Sequence, residues 1–406
     1  MRQAKQIFAV TSILLYAFYA GGVLLDGGAP LKSALAYAFP SGEGMHYFAG
    51  EAAYYALPYR TDLLEGHARL QNLIGKTESG GLDVVAATGR SFVAGADSGH
   101  DDYRIELYAA GLRRLEETLR KEGARTKVTY ISAQSQVVNG YTESPRGFPL
   151  PQQYLLMESM LYYLRAYNVD FLDTQYVLQR SDLSPSDYIY KTDTKWTTEA
   201  SFVAAQALIG KLHGQYGLDI SPGSLFSSEQ FDRKTYSGVL TGNMGMRAGR
   251  SFTGGEDFTV LLPNYETELT YQALDADEPS VSGAFEEALL RYEHLQPLDP
   301  YSYSAYSVYM GGGIHPNRKI TNHALHGTQN VLFVHDASAL PFASFISLGF
   351  GETHMYWPAI AEDAYSFDLV NYVVDNDIDY VFFMSECDPY ALEGIFSVLP
   401  KEIPAG

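Results

Sequence analysis

The sequence predicts an α/β protein, a parallel sheet covered by helices on both faces. Short apolar runs bounded by turns read as buried strands: KVTYIS at 127–132, NVLFV at 330–334 and IDYVFFMSE at 378–386. Longer segments with apolar residues at helical spacing lie at 103–122, 154–168 and 196–217. The two kinds of segment alternate, as they do where helices cover both faces of a parallel sheet.

In chain order, Arg2 and Lys5 precede an uncharged apolar run at 7–25, just long enough to cross a bilayer. Basic residues before such a run favour an N-in orientation, which puts the remainder outside the cytoplasm. A cleaved signal peptide is the alternative, but no clean A-x-A site follows directly. Residues 1–26 are therefore expected to be a signal anchor and 27–75 a linker with a helical lead-in interrupted at Pro58. The main domain is expected over 76–400. In it, GLDVVAATG at 81–89 reads as a strand and Gly123 as the stop of the helix before it. VDFLDTQYVL at 169–178 starts as a strand. Residues 218–300, rich in Gly, Ser, Thr and acidic side chains, read as an insertion of short strands and loops, FTVLLP at 258–263 among them. A helix over 364–377 then leads to the closing strand.

A chain of 406 residues supports one large domain or two small ones. A net charge of -20 argues against general nucleic-acid binding, which needs a basic face. The 32 tyrosines suit hydroxyl-rich ligands such as sugars, or reflect composition alone. Cys387, the one cysteine, can form no internal disulfide. His323 and His326 have i, i+3 spacing but no accompanying carboxylate motif, so no metal site is predicted. No cofactor is signalled.

Ligands on open α/β sheets bind beyond the carboxyl ends of the strands. Two polar stretches therefore matter. His335-Asp336-Ala337-Ser338 follows NVLFV directly, and a serine on a strand-to-helix turn can present its hydroxyl at the sheet edge. Asp336 and Ser338 also suit an ordinary turn and N-cap. The second stretch, Asp193-Thr194-Lys195-Trp196-Thr197, equally suits a helix start, with Trp196 packing beneath it.

Taken together and in this order, these stretches resemble the extracytoplasmic SGNH-hydrolase-like proteins of the AlgX and AlgJ type and the related DHHW proteins. The resemblance is carried by Tyr190-Lys191-Thr192-Asp193-Thr194-Lys195-Trp196-Thr197, by Asp336-Ala337-Ser338 with Pro341-Phe342, by YSVYMGGGIHPNRKI at 306–320, and by FAGEAAYYALPYRTDLL at 48–64. It implies an SGNH-like fold and an Asp-His-Ser triad that transfers acetyl groups to hydroxyls of an exported polysaccharide, supplied by a membrane-bound acyl-transfer protein. By motif, Asp193 is the triad aspartate and Ser338 the nucleophile, and Lys195 stands where the histidine belongs. Trp196 and Asp336 are supporting residues.

The replacement matters because imidazole accepts and returns a proton near neutrality, whereas an exposed lysine has a pKa of about 10.4. Asp193 beside it favours the charged ammonium further. A second departure is the stretch Glu352-Thr353-His354-Met355-Tyr356-Trp357, where such proteins carry an arginine. Three readings stay open. Lys195 acts as base, or a histidine (His315, His335 or His354) takes its place, or the site is silent and the protein binds glycan or scaffolds an export complex.

Overall fold

The protein is represented by a computed structural model that describes residues 60–79, 84–86, 92–94, 102–133, 153–218, 220, 225–296, 300–301, 304–325, 329–361, 366–386 and 394–400. The apolar run at 7–25, the linker, Pro58 and Cys387 lie outside them. No helix among the described residues is long and apolar enough to cross a membrane. The chain divides into two compact units, Met1–Gly75 and Lys76–Gly406. In the first, the described helix is α1 (Arg60–Leu73).

The second unit begins with β1 (Glu78–Ser79), β2 (Val84–Ala86) and β3 (Phe92–Ala94), a small antiparallel sheet. The strand expected over 81–89 is thus present at its centre but pairs locally, outside the main sheet. Next come α2 (Asp102–Lys121), β4 (Lys127–Ala133), α3 (Gln153–Ala166), β5 (Asp170–Leu172) and α4 (Thr174–Leu178). Asp173 caps α4, its carboxylate accepting from Tyr176 N. This cap turns VDFLDTQYVL from strand to helix midway. Helix α5 (Thr198–Tyr216) starts at Thr197, whose hydroxyl accepts from Ala200 N at 3.1 Å.

The segment expected as an insertion contains β6 (Phe231–Leu240), α6 (Gly242–Ala248), α7 (Arg250–Thr253), β7 (Glu256–Pro263), β8 (Leu269–Ala273), β9 (Val281–Gly283) and α8 (Phe285–Leu289). Strands β6 and β7 pair only with each other, but β8 and β9 join the main sheet. The chain closes with β10 (Asn317–Asn322), β11 (Asn330–His335), α9 (Leu340–Ile346), β12 (Glu352–Tyr356), α10 (Leu369–Asp375) and β13 (Ile378–Glu386).

The main sheet has the order β5-β4-β13-β11-β12-β10-β8-β9. The strands from β5 to β12 run parallel, and β10, β8 and β9 extend the sheet antiparallel. Its faces are separated by strand alternation. Val331 and Phe333 of β11 pack in one core with α5 and α9, whereas Leu332 and Val334 pack in the other with α2 and α3. Both faces being apolar explains why these strands read as continuous hydrophobic runs. All carboxyl ends of the parallel strands lie along one sheet edge, and polar residues there can converge.

Candidate active site

At that edge β11 ends in His335, and Asp336 N still donates to Met384 O of β13 at 3.2 Å. Asp336 then caps a 3-10 turn, Ala337–Ala339. Its Oδ1 accepts from Ser338 N at 2.8 Å and from Ser338 Oγ. Its Oδ2 accepts from Glu386 N at 2.7 Å, where β13 ends. Ser338 is buried, and Tyr306 Oη donates to its carbonyl at 3.1 Å.

The YKTDTKWT loop closes on itself and packs onto this turn. Tyr190 N donates to Lys195 O at 3.1 Å. Trp196 is buried, its ring 6.1 Å from Phe342 of α9, so the tryptophan joins the loop to the helix behind Ser338. Glu256, the first residue of β7, accepts from Lys191 N at 2.8 Å, Thr192 N at 2.5 Å and Thr192 Oγ1 at 2.6 Å. Burial raises the Glu256 pKa, while these bonds oppose the rise. Helix α6 clamps the loop from the other side. Met244 N donates to Thr192 O at 2.9 Å, and Asn243 N to Asp193 Oδ2 at 3.2 Å. The approach is close because Gly242 has φ +64°, and a Cβ there would lie 2.1 Å from Thr192 O.

Asp193 is fully buried, and its Oδ1 accepts from Thr194 N at 2.8 Å and Lys195 Nζ at 3.0 Å. Lys195 is buried too, its Nζ 5.7 Å from the centre of the Tyr306 ring. Burial acts to lower the lysine pKa, but Asp193, Glu386 and Asp336 together outweigh it, and the net direction is up. The side chain is therefore an ammonium, a donor only. Glu386 is pushed up to about 8, first by burial and then by Asp336, with Lys195 opposing. Its Oε1 accepts from Thr194 Oγ1 at 3.0 Å. Burial also raises Asp336. The site is thus a knot of three carboxyl groups around one ammonium, with Ser338 at its margin.

The structure brings Asp193, Lys195, Asp336 and Ser338 to one sheet edge. Ser338 Oγ faces Asp336, and Ser338 N, a donor that an oxyanion would use, is engaged by the same carboxylate. His335 adjoins this turn. Its Nδ1 pairs with Asp336 O at 2.6 Å, its ring lies 5.6 Å from Trp357, and its Nε2 is buried without a partner among the described residues. Burial, then the charge of Arg318, pushes it down to about 3, so it is neutral. His354 sits within β12 with both ring nitrogens engaged, Nε2 by Glu352 at 3.0 Å and Nδ1 by Tyr372 Oη at 2.8 Å. His315 pairs with Asp275 at 3.6 Å and Glu278 at 3.3 Å. Neither ring is directed to Ser338. Among the described residues no group of three or more His, Cys, Asp or Glu side chains is placed to hold a metal ion.

Glu386, Glu256, Tyr306 and Asn243 were not singled out from the sequence. Glu386 was within reach, since it follows a buried strand as Asp336 does. The others act across tertiary contacts.

The family model for the SGNH hydrolase-like domain of acetyltransferase AlgX matches residues 92–280, a span that holds Asp193 and Lys195 and ends before Ser338. No curated protein matches the chain. Among solved structures, a DHHW family protein from Eubacterium siraeum superposes with a TM-score of 0.55 at 20% identity, covering 79% of this chain and 96% of that one. Bacillus cereus PatB1, solved with a sulfonyl adduct, gives 0.59 at 14% identity, with 77% and 96% covered. The O-acetyltransferase domain of Pseudomonas putida AlgJ gives 0.45 at 13% identity, with 77% and 99% covered. At such identities the DHHW and PatB1 structures speak for the fold alone, which is the α/β arrangement derived above. The AlgX-type SGNH hydrolase-like match thus covers a little under half of the chain, residues 92–280.

Proposed function

We propose that the protein serves extracytoplasmic polysaccharide O-acetylation or export, as a relative whose acyl-transfer site has lost its base. The observation that carries this reading is the Lys195 ammonium, bonded to Asp193 Oδ1 at 3.0 Å where a triad histidine belongs. An ammonium flanked by three carboxyl groups cannot take the serine proton. Ser338 Oγ donates to Asp336 of its own turn, and no bond joins it to Lys195 among the described residues. The acetyltransferase description of the matched family supports the reaction class. In this reading residues 7–25 anchor the chain, the globular part lies outside the cytoplasm, and the partners are an exported polysaccharide and a membrane-bound acyl-transfer protein. The silent cleft then binds glycan or scaffolds the transfer complex.

The test is turnover of a chromogenic acetyl ester by the purified chain, by Lys195→His and by Lys195→His with Ser338→Ala. The parent is expected to be silent. Lys195→His is expected to gain activity, since a positioned base contributes about 10²–10⁴-fold. The added Ser338→Ala should remove that gain. Parent turnover abolished by Ser338→Ala alone would overturn the reading.

A further inference from the structure

The sheet edge opposite the Ser338 cluster also holds a site. There the amino ends of β4 and β5 open onto a cleft of about 730 Å³. Arg113 and Arg120 of α2 line it, with Arg125, Lys127 at the start of β4, Asp170 at the start of β5, and Tyr216 at the end of α5. Four cations and two carboxylates, Glu116 and Asp170, thus line one cleft of a chain with net charge -20, an excess of positive charge. Arg113 is held by Glu117 at 2.9 Å and Glu116 at 3.3 Å. Lys127 Nζ lies 5.7 Å from the centre of the Tyr216 ring. Arg120 and Arg125 are exposed and have no carboxylate partner among the described residues.

Arg113 and Arg120 are seven residues apart on α2, two turns or about 10 Å along one face. The positive charge therefore forms a line rather than a point. Asp170 sits in the same wall, its two oxygens accepting from Lys211 at 2.7 Å and Thr129 at 2.9 Å. A carboxylate has room for further donors. Tyr216 is pushed up to about 12, by burial first and then by Asp170, so its hydroxyl stays neutral. The complementary ligand carries spaced anionic groups for the arginines and hydroxyl donors for Asp170. A dense polyphosphate meets repulsion from Asp170, and a lone small anion leaves most of the cleft unfilled.

We propose that this cleft binds a short run of acidic sugars, whose carboxylates pair with Arg120 and Arg125 and whose hydroxyls donate to Asp170. The cleft volume lies within the range of roughly 300–1,000 Å³ usual for ligand pockets. The site is independent of whether Ser338 is active. It would give the protein a hold on an anionic polysaccharide on the edge away from the acyl-transfer cluster.

Calorimetry on the purified full chain tests this, with trigalacturonate as the acidic probe, maltotriose as the neutral one and inorganic phosphate as the simple anion. Trigalacturonate is expected to bind and to weaken with added salt. The double variant Arg120→Glu with Arg125→Glu should weaken it by about tenfold or more, two charge-assisted contacts being lost. Arg233→Glu, the same charge change on the exposed β6–β7 hairpin, should leave binding unchanged. Equal binding of maltotriose would overturn the acidic-sugar assignment, and so would displacement by phosphate at matched concentration. Unchanged trigalacturonate binding in the double variant would overturn the site.

Discussion

At Lys195 two opposing effects meet. Burial favours the neutral amine, and the carboxyl groups of Asp193, Glu386 and Asp336 favour the ammonium. The ammonium form wins because Asp193 is only 3.0 Å away and bonded to it directly. Breaking a buried ion pair from one side typically costs about 3–5 kcal/mol, since the surviving charge loses its partner. Asp193→Asn is therefore expected to destabilise the fold by about 3 kcal/mol. Adding Lys195→Met removes the stranded ammonium, so the double variant should lose at least about 1 kcal/mol less than the two single losses summed. Urea unfolding of the four proteins reads this coupling directly. Strict additivity would show that the pair does not stabilise the loop.

At the scale of elements, the loop is held by parts far from it in sequence. Gly242, Asn243 and Glu256 lie in the segment that composition marks as an insertion, yet they clamp Thr192 and Asp193. Gly242→Ala would combine a left-handed backbone with a Cβ 2.1 Å from Thr192 O. Gly217 is also left-handed, φ +71° and ψ +27°, but has open space around it. Gly217→Ala should cost about 1–2 kcal/mol, the backbone penalty alone. Gly242→Ala should cost clearly more and should also displace Asp193, visible as changed amide exchange at Thr192 and Asp193. Equal losses at the two positions would mean that the clamp gives way freely. The same contrast shows what the sequence can carry. Helix α5 was legible because Thr197 caps it and its apolar spacing is local. Strands β4, β11 and β13 were legible because both their faces are buried. The joining of β8 and β9 to the main sheet was not, because strand partners are chosen across the fold and leave no local period. The cluster itself was half legible. Asp193, Lys195, Asp336 and Ser338 stand in readable motifs, whereas Glu256 reaches Thr192 only through tertiary packing.

Over the whole molecule, three carboxyl groups at one sheet edge tie stability to pH. Glu386 has its ordinary value of 4.5 shifted up to about 8 by burial and by Asp336. In the fold it keeps its proton across a range where the unfolded chain has lost it. Folding then takes up a proton, and this group's contribution is full below pH 4.5 and lost as pH rises towards 8. His335 works in the other direction. Burial lowers it from 6.5 to about 3, so its neutral form is favoured by folding and its contribution is lost as pH falls through that interval. The two groups oppose each other between their windows, and the parent curve alone cannot separate them. Glu386→Gln does separate them, because it removes one titration and leaves His335 in place. The urea-unfolding free energy of Glu386→Gln minus that of the parent is expected to grow from pH 5 to pH 8. A difference that stays constant over that range would mean that Glu386 ionises in the fold as it does in the open chain. The Lys195 ammonium would then face a charged Glu386 at neutral pH, and its hold on the loop would be tighter than with Glu386 protonated.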